Sequence, residues 1–537
     1  MVSFRSSTIS LWESTESEGT PNFSALNQPL QADVAIVGAG ITGLTAALSL
    51  LNKGLRVVVL EAGTVGGGVT AQNSGHLTTM LDSDYTAVAR HFGDDSARRV
   101  AQALTDAIEW IGEQDRQWRL ASEFQVVPGY LFAESAEQRG DLQSEYQAMK
   151  RLGLSVSRHK AVPLPFSVAD GVVMERQARL HPLRYAMGLA HVLANHNLEI
   201  FEETRVTSVE RESGQFWLQL ENGHRVTART VVLATHTPIG LKPLLQAKIV
   251  PYRSYIIGVR VRNHIPDALY WDVAEPYHYI RLAHDDAGDL LMIGGEDHKT
   301  GEEPDTRIRL NRLERYAQRR FDVRTIDYRW SAQLYDPIDG LPYIGELSRE
   351  RGLYIATGFS GDGLTFGTIA GRLLADQILG AADPALSKLF SPGRINALAS
   401  GGRLLTENTK IISHFIGDRL GAGNTPQSLE HIAPGEGCLM EVEGQKRAVY
   451  RAPDGQLSVL SPVCTHANCL VKWNTAENSW DCPCHGGRYT PTGEVLNGPP
   501  VLGLYRFYPA EQPGLEAAVA ETPEEAVLPV TSEDEGS

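Results

Sequence analysis

Cysteine is scarce and confined to one end of the chain. Of 537 residues only 5 are cysteine, and four of these fall between Cys464 and Cys484. That distribution excludes a small fold stapled by dispersed disulfides and points to one local site. Long apolar runs are also missing: nowhere do about eighteen apolar residues follow one another, so no membrane-spanning helix is expected. The first residues hold Arg5 but no apolar stretch, and a secretory leader is not expected either. Positive charge is in deficit, with 49 Lys and Arg against 65 Asp and Glu and a net charge of −16. This balance argues against nucleic acid or an anionic membrane as the main partner and suits a soluble protein, and with neither leader nor spanning helix expected the default location is cytoplasmic. No internal repeat or low-complexity tract stands out, and the length allows two or three domains.

The most informative stretch is Asp33 to Ala47, DVAIVGAGITGLTAA, followed by RVVVLEA from Arg56 to Ala62. Val34 to Val37 read as a buried parallel strand, and the turn Gly38-x-Gly40-x-x-Gly43 opens an Ala- and Leu-rich helix. Gly38 permits the tight turn, Gly40 lets backbone N–H groups approach a pyrophosphate, and Gly43 lets the helix pack closely on the strand. Glu61 ends the next strand about twenty residues on, where a carboxylate can accept both ribose hydroxyls. Strand, helix, second strand and acid in this order predict a dinucleotide cradle.

Residues 1–30 are rich in Ser, Thr and Pro and predict an extended arm on the surface. From 84 to about 160, apolar residues recur at three and four spacing, as in amphipathic helices. VPYRSYIIGVRVRN, EPYHYIRL, GDLLMIGG and TIDYRWSAQLY alternate like strands of an antiparallel sheet able to wall a pocket. DGLPYIG, then GLYIATGFSGDGLTFG and a helix, return to the nucleotide lobe. The expected division is 31–83, 180–245 and 336–400 for that lobe, with 84–179 and 246–335 forming an interleaved α+β substrate domain. A linker over 401–430, a small all-β domain over 431–510 and an acidic tail over 511–537 complete the chain.

In the small domain, Cys464-Thr465-His466 precedes Cys482-Pro483-Cys484-His485 by a short loop. Cys464, His466, Cys482 and His485 match a [2Fe–2S] cluster with thiolates on one iron and imidazoles on the other. Zinc is the alternative for two Cys and two His, although structural zinc sites usually begin C-x₂₋₄-C. With Gly493 and Asn497-Gly498-Pro499-Pro500 downstream, the segment resembles the Rieske domain of cytochrome bc-type proteins. That resemblance implies a Cys469–Cys484 disulfide beside the cluster. Gly487 stands where those proteins have Ser, and the loss of its hydroxyl implies a lower potential.

Residues 31–400 resemble the D-amino-acid oxidase/glycine oxidase/sarcosine oxidase superfamily, on VGAGITGLTAA, the segment after Glu61, VVLATH, DGLPYIG and TGFSGDGLTFG. The resemblance implies FAD held on a glutathione-reductase-like Rossmann domain. It places adenosine and pyrophosphate on Gly38, Gly40, Thr42, Gly43, Glu61 and Ala62, with Gly68, Thr70 and His76 in the next segment. Val206 is implied near the adenine and Ala234 at the end of its strand. Gly340 and the loop Gly358, Gly361, Asp362, Gly363, Leu364 and Thr365 are implied around the isoalloxazine, with Asp362 also a catalytic candidate. FAD is expected to be non-covalent, with His76 a contact.

The superfamily oxidises C–N bonds, and on the strand facing its flavin Tyr279 and Arg281 are the implied substrate contacts, with His278 and Arg253 behind them. An arginine there could hold a substrate carboxylate. Two departures are visible: Asp362 replaces a common His, and Met292 takes the position of an oxygen-assisting Lys. The fusion implies an amine or amino-acid dehydrogenase passing electrons from FAD through the cluster to an external acceptor, a protein or a quinone. An O₂-using oxidase with a structural or redox-sensing Rieske module is one alternative. A Rieske-type oxygenase, with His191 and His196 as an iron pair, is another.

Overall fold

The computed structural model describes residues 9–16, 23–240, 242–396 and 429–507. The acidic tail, and all but the last two residues of the linker over 401–430, lie outside the described residues. The apolar run of Leu30–Val37 forms the centre of an eight-stranded sheet, paired in parallel with Val57–Leu60 on one side and Arg225–Leu233 on the other. Leu353–Thr357 continues it beyond Arg225–Leu233, and Glu199–Phe201 lies outside Val57–Leu60. Strands such as Val57–Leu60 are buried on both faces, as covered parallel sheets require. The helices Ile41–Leu50 and Gly363–Ile378 pack together against it, and Gly371 makes their close approach feasible because a Cβ there would lie 2.6 Å from Thr45 Cβ.

A nine-stranded sheet built mainly from Ile249–Val261, His278–Asp285, Gly288–Lys299 and Val323–Pro337 forms the second layer. Its mostly antiparallel register agrees with the alternating sequence. The strand His76–Leu77, from the segment after the nucleotide unit, joins this sheet by pairing with Arg179 and Ala178. The chain therefore crosses from one sheet to the other directly behind the cradle. Two four-stranded antiparallel sheets over 437–507 make the all-β C-terminal domain. Among the described residues no helix is long and apolar enough to cross a membrane.

The start of the chain differs from the extended surface arm expected for 1–30. Residues 11–14 form a helical turn with a reciprocal Ser10–Glu13 capping box, and Leu11 and Trp12 are buried. The Trp12 indole N–H donates to Asn73 O at 2.5 Å, and Thr15 Oγ1 lies 3.0 Å from His181 Nε2. A single large aromatic side chain with a satisfied donor is enough to draw an otherwise polar stretch into the core.

Candidate functional site

A cavity of about 520 Å³ runs from the glycine turn to the antiparallel sheet. Gly38, Gly40, Thr42, Glu61, Ala62, Gly68, Thr70, Val206 and Ala234 line one end, and His76, Tyr279, Gly361, Asp362, Gly363 and Leu364 line the other. The cradle has the form its sequence requires. Gly38 has φ +105°, and a Cβ on it would meet Ala234 O at 2.5 Å. The Glu61 carboxylate is held in place by the Ala39 N–H at 2.8 Å and the Gly63 N–H at 2.9 Å. These groups fit FAD: a glycine-walled turn at a helix N-terminus for the pyrophosphate and a positioned carboxylate for the ribose.

Four expected contacts lie outside the lining. Gly43 sits beneath the turn, its missing side chain making room for Gly38 O. Gly340 accepts the Ser83 hydroxyl at 2.8 Å, Gly358 packs near Ile249 and Pro337, and the Thr365 hydroxyl donates to Asp362 O at 3.1 Å. They shape the loops around the cavity from behind.

The four implied substrate residues separate. Tyr279 lines the cavity, and Gly294, paired opposite it, leaves space for its ring: a Cβ there would lie 2.1 Å from Tyr279 Cζ. Arg281 shares that face of the strand but is spent on structure. Its guanidinium donates to Gly75 O at 2.7 Å and to Leu180 O at 3.1 Å, and it lies 5.4 Å from the Trp12 ring. His278 points to the opposite face, stacked on Tyr316 at 3.9 Å and bonded to Asp272 at 2.9 Å. Burial alone would lower its pKa, but Asp272 and Glu296 lift it to about 9, so it serves as a buried cation. Arg253 is fully buried and pairs with Glu477 of the C-terminal domain and with Ser331. Met292 is enclosed in the core. His191 is exposed and His196 packs on Trp118 at 5.4 Å; among the described residues no metal-binding group forms around them.

The C-terminal domain docks on the flavin half and completes the cavity wall with Leu496 to Val501. The Tyr335 hydroxyl donates to His485 O at 2.9 Å, Gln333 Nε2 donates to Gly486 O at 2.8 Å, and Gln246 Nε2 lies 2.9 Å from His466 Nε2. Asn497 to Pro500 were legible as part of the small domain but not as cavity wall. Ser254, Tyr277 and Gln333, also in the lining, lie in stretches legible as pocket-walling strands but were not singled out within them, and Asp82 belongs to no such stretch.

The metal-ligand residues fit a [2Fe–2S] cluster. Cys464 and Cys482 are buried free thiols, while Cys469 and Cys484 form a disulfide. The His466 and His485 rings lie 5.0 Å apart, and the Nδ1 atom of each is buried without a hydrogen-bond partner. A buried imidazole nitrogen left unsatisfied is what a ligand position would leave in the absence of its iron. The sulfurs of Cys469, Cys482 and Cys484 also lie within 4.8 Å of one another, but two of them are consumed in the disulfide, so they are not a ligand set.

The Tyr489 hydroxyl lies 3.1 Å from Cys464 Sγ. Removing it in Tyr489→Phe is expected to lower the cluster midpoint potential, as followed by redox titration with EPR. A hydrogen bond of about 1 kcal/mol converts to roughly 40 mV for a one-electron couple. Serine at Gly487 is a poorer probe than the sequence alone implied, because its Cβ would meet Pro500 Cδ at 2.7 Å.

Comparison with known proteins agrees with this geometry. The family model DAO, FAD dependent oxidoreductase, matches residues 33–377, and the Rieske [2Fe-2S] domain model matches 427–507. The Rieske 2Fe-2S iron-sulfur protein YhfW of Bacillus subtilis (strain 168) is 30% identical over 486 residues, covering 90% of this chain and 95% of that protein. The gamma-glutamylputrescine oxidoreductase of Escherichia coli (strain K12) is 28% identical, covering 67% of this chain and 87% of its own length. Among solved structures, glycine oxidase from Geobacillus kaustophilus superposes with a TM-score of 0.57 at 20% identity, covering 68% of this chain and 99% of that one. The chain belongs to the DAO family of FAD-dependent oxidoreductases and carries a C-terminal Rieske [2Fe–2S] domain.

Proposed function

We propose that the protein oxidises the C–N bond of an amine or amino acid and delivers the electrons singly, through its own Rieske domain, to an external acceptor. FAD supplies two-electron hydride acceptance and the [2Fe–2S] cluster one-electron carriage. The substrate loses two electrons and two protons to become an imine, which water hydrolyses to a carbonyl compound and an amine or ammonia.

The observation that carries the reading is the shared wall: Tyr335 and Gln333 hold the His485–Gly486 loop, while Gln333 and Leu496–Val501 line the cavity. Tyr279 and Trp271 provide aromatic faces that can orient a neutral amine, and the docked loop restricts water at that end. The named activities of the E. coli oxidoreductase and the glycine oxidase support C–N chemistry. The reading places the protein in the cytoplasm, with a small amine and a one-electron acceptor, protein or quinone, as partners. It also keeps the sequence division: 31–83, 180–245 and 336–400 for the FAD domain, 84–179 and 246–335 for the substrate domain.

The test is anaerobic addition of substrate to the holoenzyme, followed by absorbance and EPR. Flavin bleaching accompanied by the signal of the reduced cluster is the expected outcome. A flavin that bleaches and is reoxidised by oxygen while the cluster never changes state would defeat the relay and favour an O₂-using oxidase.

A further inference from the structure

A second cavity, of about 290 Å³, shares no lining residue with the flavin cavity. The buried His278, Glu296 and Tyr316 lie at its base, and four more exposed arginines, Arg312, Arg315, Arg319 and Arg320, form its rim. The helix Arg307–Arg320 produces this rim directly. Positions 312, 315, 316, 319 and 320 are three and four apart, so the four arginines and Tyr316 share one stripe. The acid among them, Glu314, pairs instead with Arg329 at 2.7 Å.

Around the base the charges match, and at the rim they do not. Asp272 receives His278 Nδ1 at 2.9 Å, Glu134 receives Arg320 through both oxygens, and Glu303 receives Arg309 at 2.7 Å. Glu296 lies 3.4 Å from Arg312 and 3.6 Å from Arg309. His278, Arg309, Arg312 and Arg320 are therefore balanced by Asp272, Glu134, Glu296 and Glu303. Arg315 and Arg319 are left over. Arg315 donates to Asn311 O of its own helix at 3.1 Å, and among the described residues neither of the two meets a carboxylate. In a chain of net charge −16, two surplus cations at the mouth of one concavity select for anions.

His278 independently points to a ligand. It is 8% exposed and lines the cavity as a cation. With Nδ1 bonded to Asp272, its Nε2–H has no acceptor in reach, because Glu296 Oε1 is 3.9 Å away, beyond hydrogen-bond distance. A buried charged donor without an acceptor is costly, and an oxygen of an anion in the cavity would complete it. A monoanion would answer one of the two surplus arginines, whereas a dianion answers both. The planar guanidinium forks suit the oxygens of a phosphate.

We propose that this cavity binds a phosphoryl dianion, free phosphate or the phosphate of a small ester, received by Arg315 and Arg319 at the rim and by His278 Nε2–H at the base. The site does not depend on the C–N reading above.

Holoenzyme, with FAD filling the glycine cradle, is titrated calorimetrically at constant ionic strength and about pH 8, where a phosphate ester is a dianion. Inorganic phosphate, glycerol 3-phosphate and acetate are compared. At least one of the two phosphates is expected to saturate a single site per chain and to bind roughly tenfold or more tightly than acetate. A tighter ester assigns the site to a phosphorylated metabolite, and tighter inorganic phosphate assigns it to the free ion. Arg315→Gln/Arg319→Gln is expected to weaken phosphate binding by roughly tenfold or more, with flavin content and cluster EPR unchanged, since both side chains are exposed. Arg98→Gln/Arg176→Gln removes the same charge from exposed positions outside the cavity and is expected to leave the affinity as it was. Acetate bound as tightly as phosphate, no saturable binding of either phosphate, full affinity in the cavity variant, or an equal loss in the control pair would overturn the proposal.

Discussion

Alanine at position 43 is expected to yield protein with essentially no bound FAD. The Cβ it introduces would lie 1.9 Å from Gly38 O and 3.1 Å from Gly38 C, well inside contact distance, so the helix Ile41–Leu50 must move off the strand Leu30–Val37. That displacement carries Gly38 and Gly40 away from the position at which backbone N–H groups meet a pyrophosphate. Overpacking of this kind usually costs about 1–3 kcal/mol in a core that can adjust. Here the obstacle is backbone, which cannot turn aside. Flavin released on denaturation, quantified per chain, should fall to near zero, while the EPR signal of the cluster remains, because its four candidate ligands, Cys464, His466, Cys482 and His485, all belong to two loops of the C-terminal domain. Full flavin content in Gly43→Ala would show that the close approach is not required.

The second large effect is expected from Arg253→Ala. Arg253 lies fully buried between the halves, pairing with Glu477, which also receives Arg488 at 2.7 Å; Arg488 in turn bonds Asp481 at 2.9 Å. Two cations and two anions balance in this network. Removing Arg253 leaves one buried negative charge uncompensated, at a cost on the order of 3 kcal/mol. Because Arg253 belongs to the flavin half and the other three to the Rieske domain, the loss falls on the docking contact. Thermal unfolding followed by flavin fluorescence and by cluster circular dichroism should change from coincident transitions to separate ones. Coincident transitions at the wild-type temperature would mean that the pair contributes nothing to docking.

The contrast between these two residues explains what could be read from the sequence and what could not. The cradle was legible because its physics is local: turn, helix start and acid lie within about thirty residues, and each glycine has a steric reason to be there. The cluster ligands were legible for the same reason, as two short loops with distinctive donor types. The resemblance implied Tyr279 and Arg281 toward the flavin with His278 behind them, and in the sheet Tyr279 and Arg281 share one face of their strand while His278 takes the other. Alternation does not say what covers a face. Arg281 is covered by Trp12, from a stretch whose composition reads as a polar arm, and Arg253 is covered by Glu477, from another domain. Asp82 meets the Gly361 N–H across 279 residues, a contact that no local pattern announces. Leu496–Val501 were visible as a turn of the small domain, but their second face, toward the cavity, depended on docking.

The burial of the Arg253–Glu477 pair has one more consequence. Surface ion pairs that guide separate redox proteins to one another weaken as ionic strength rises, because mobile ions screen charges beyond about 8–10 Å in water. Here both side chains are almost wholly withdrawn from solvent, 0% and 5% exposed, and the two domains belong to one chain. Salt cannot reach the contact, and dilution cannot separate the partners. The association of flavin site and cluster domain is therefore set by covalent connection and interior packing, and stays constant under conditions that would disperse an encounter complex.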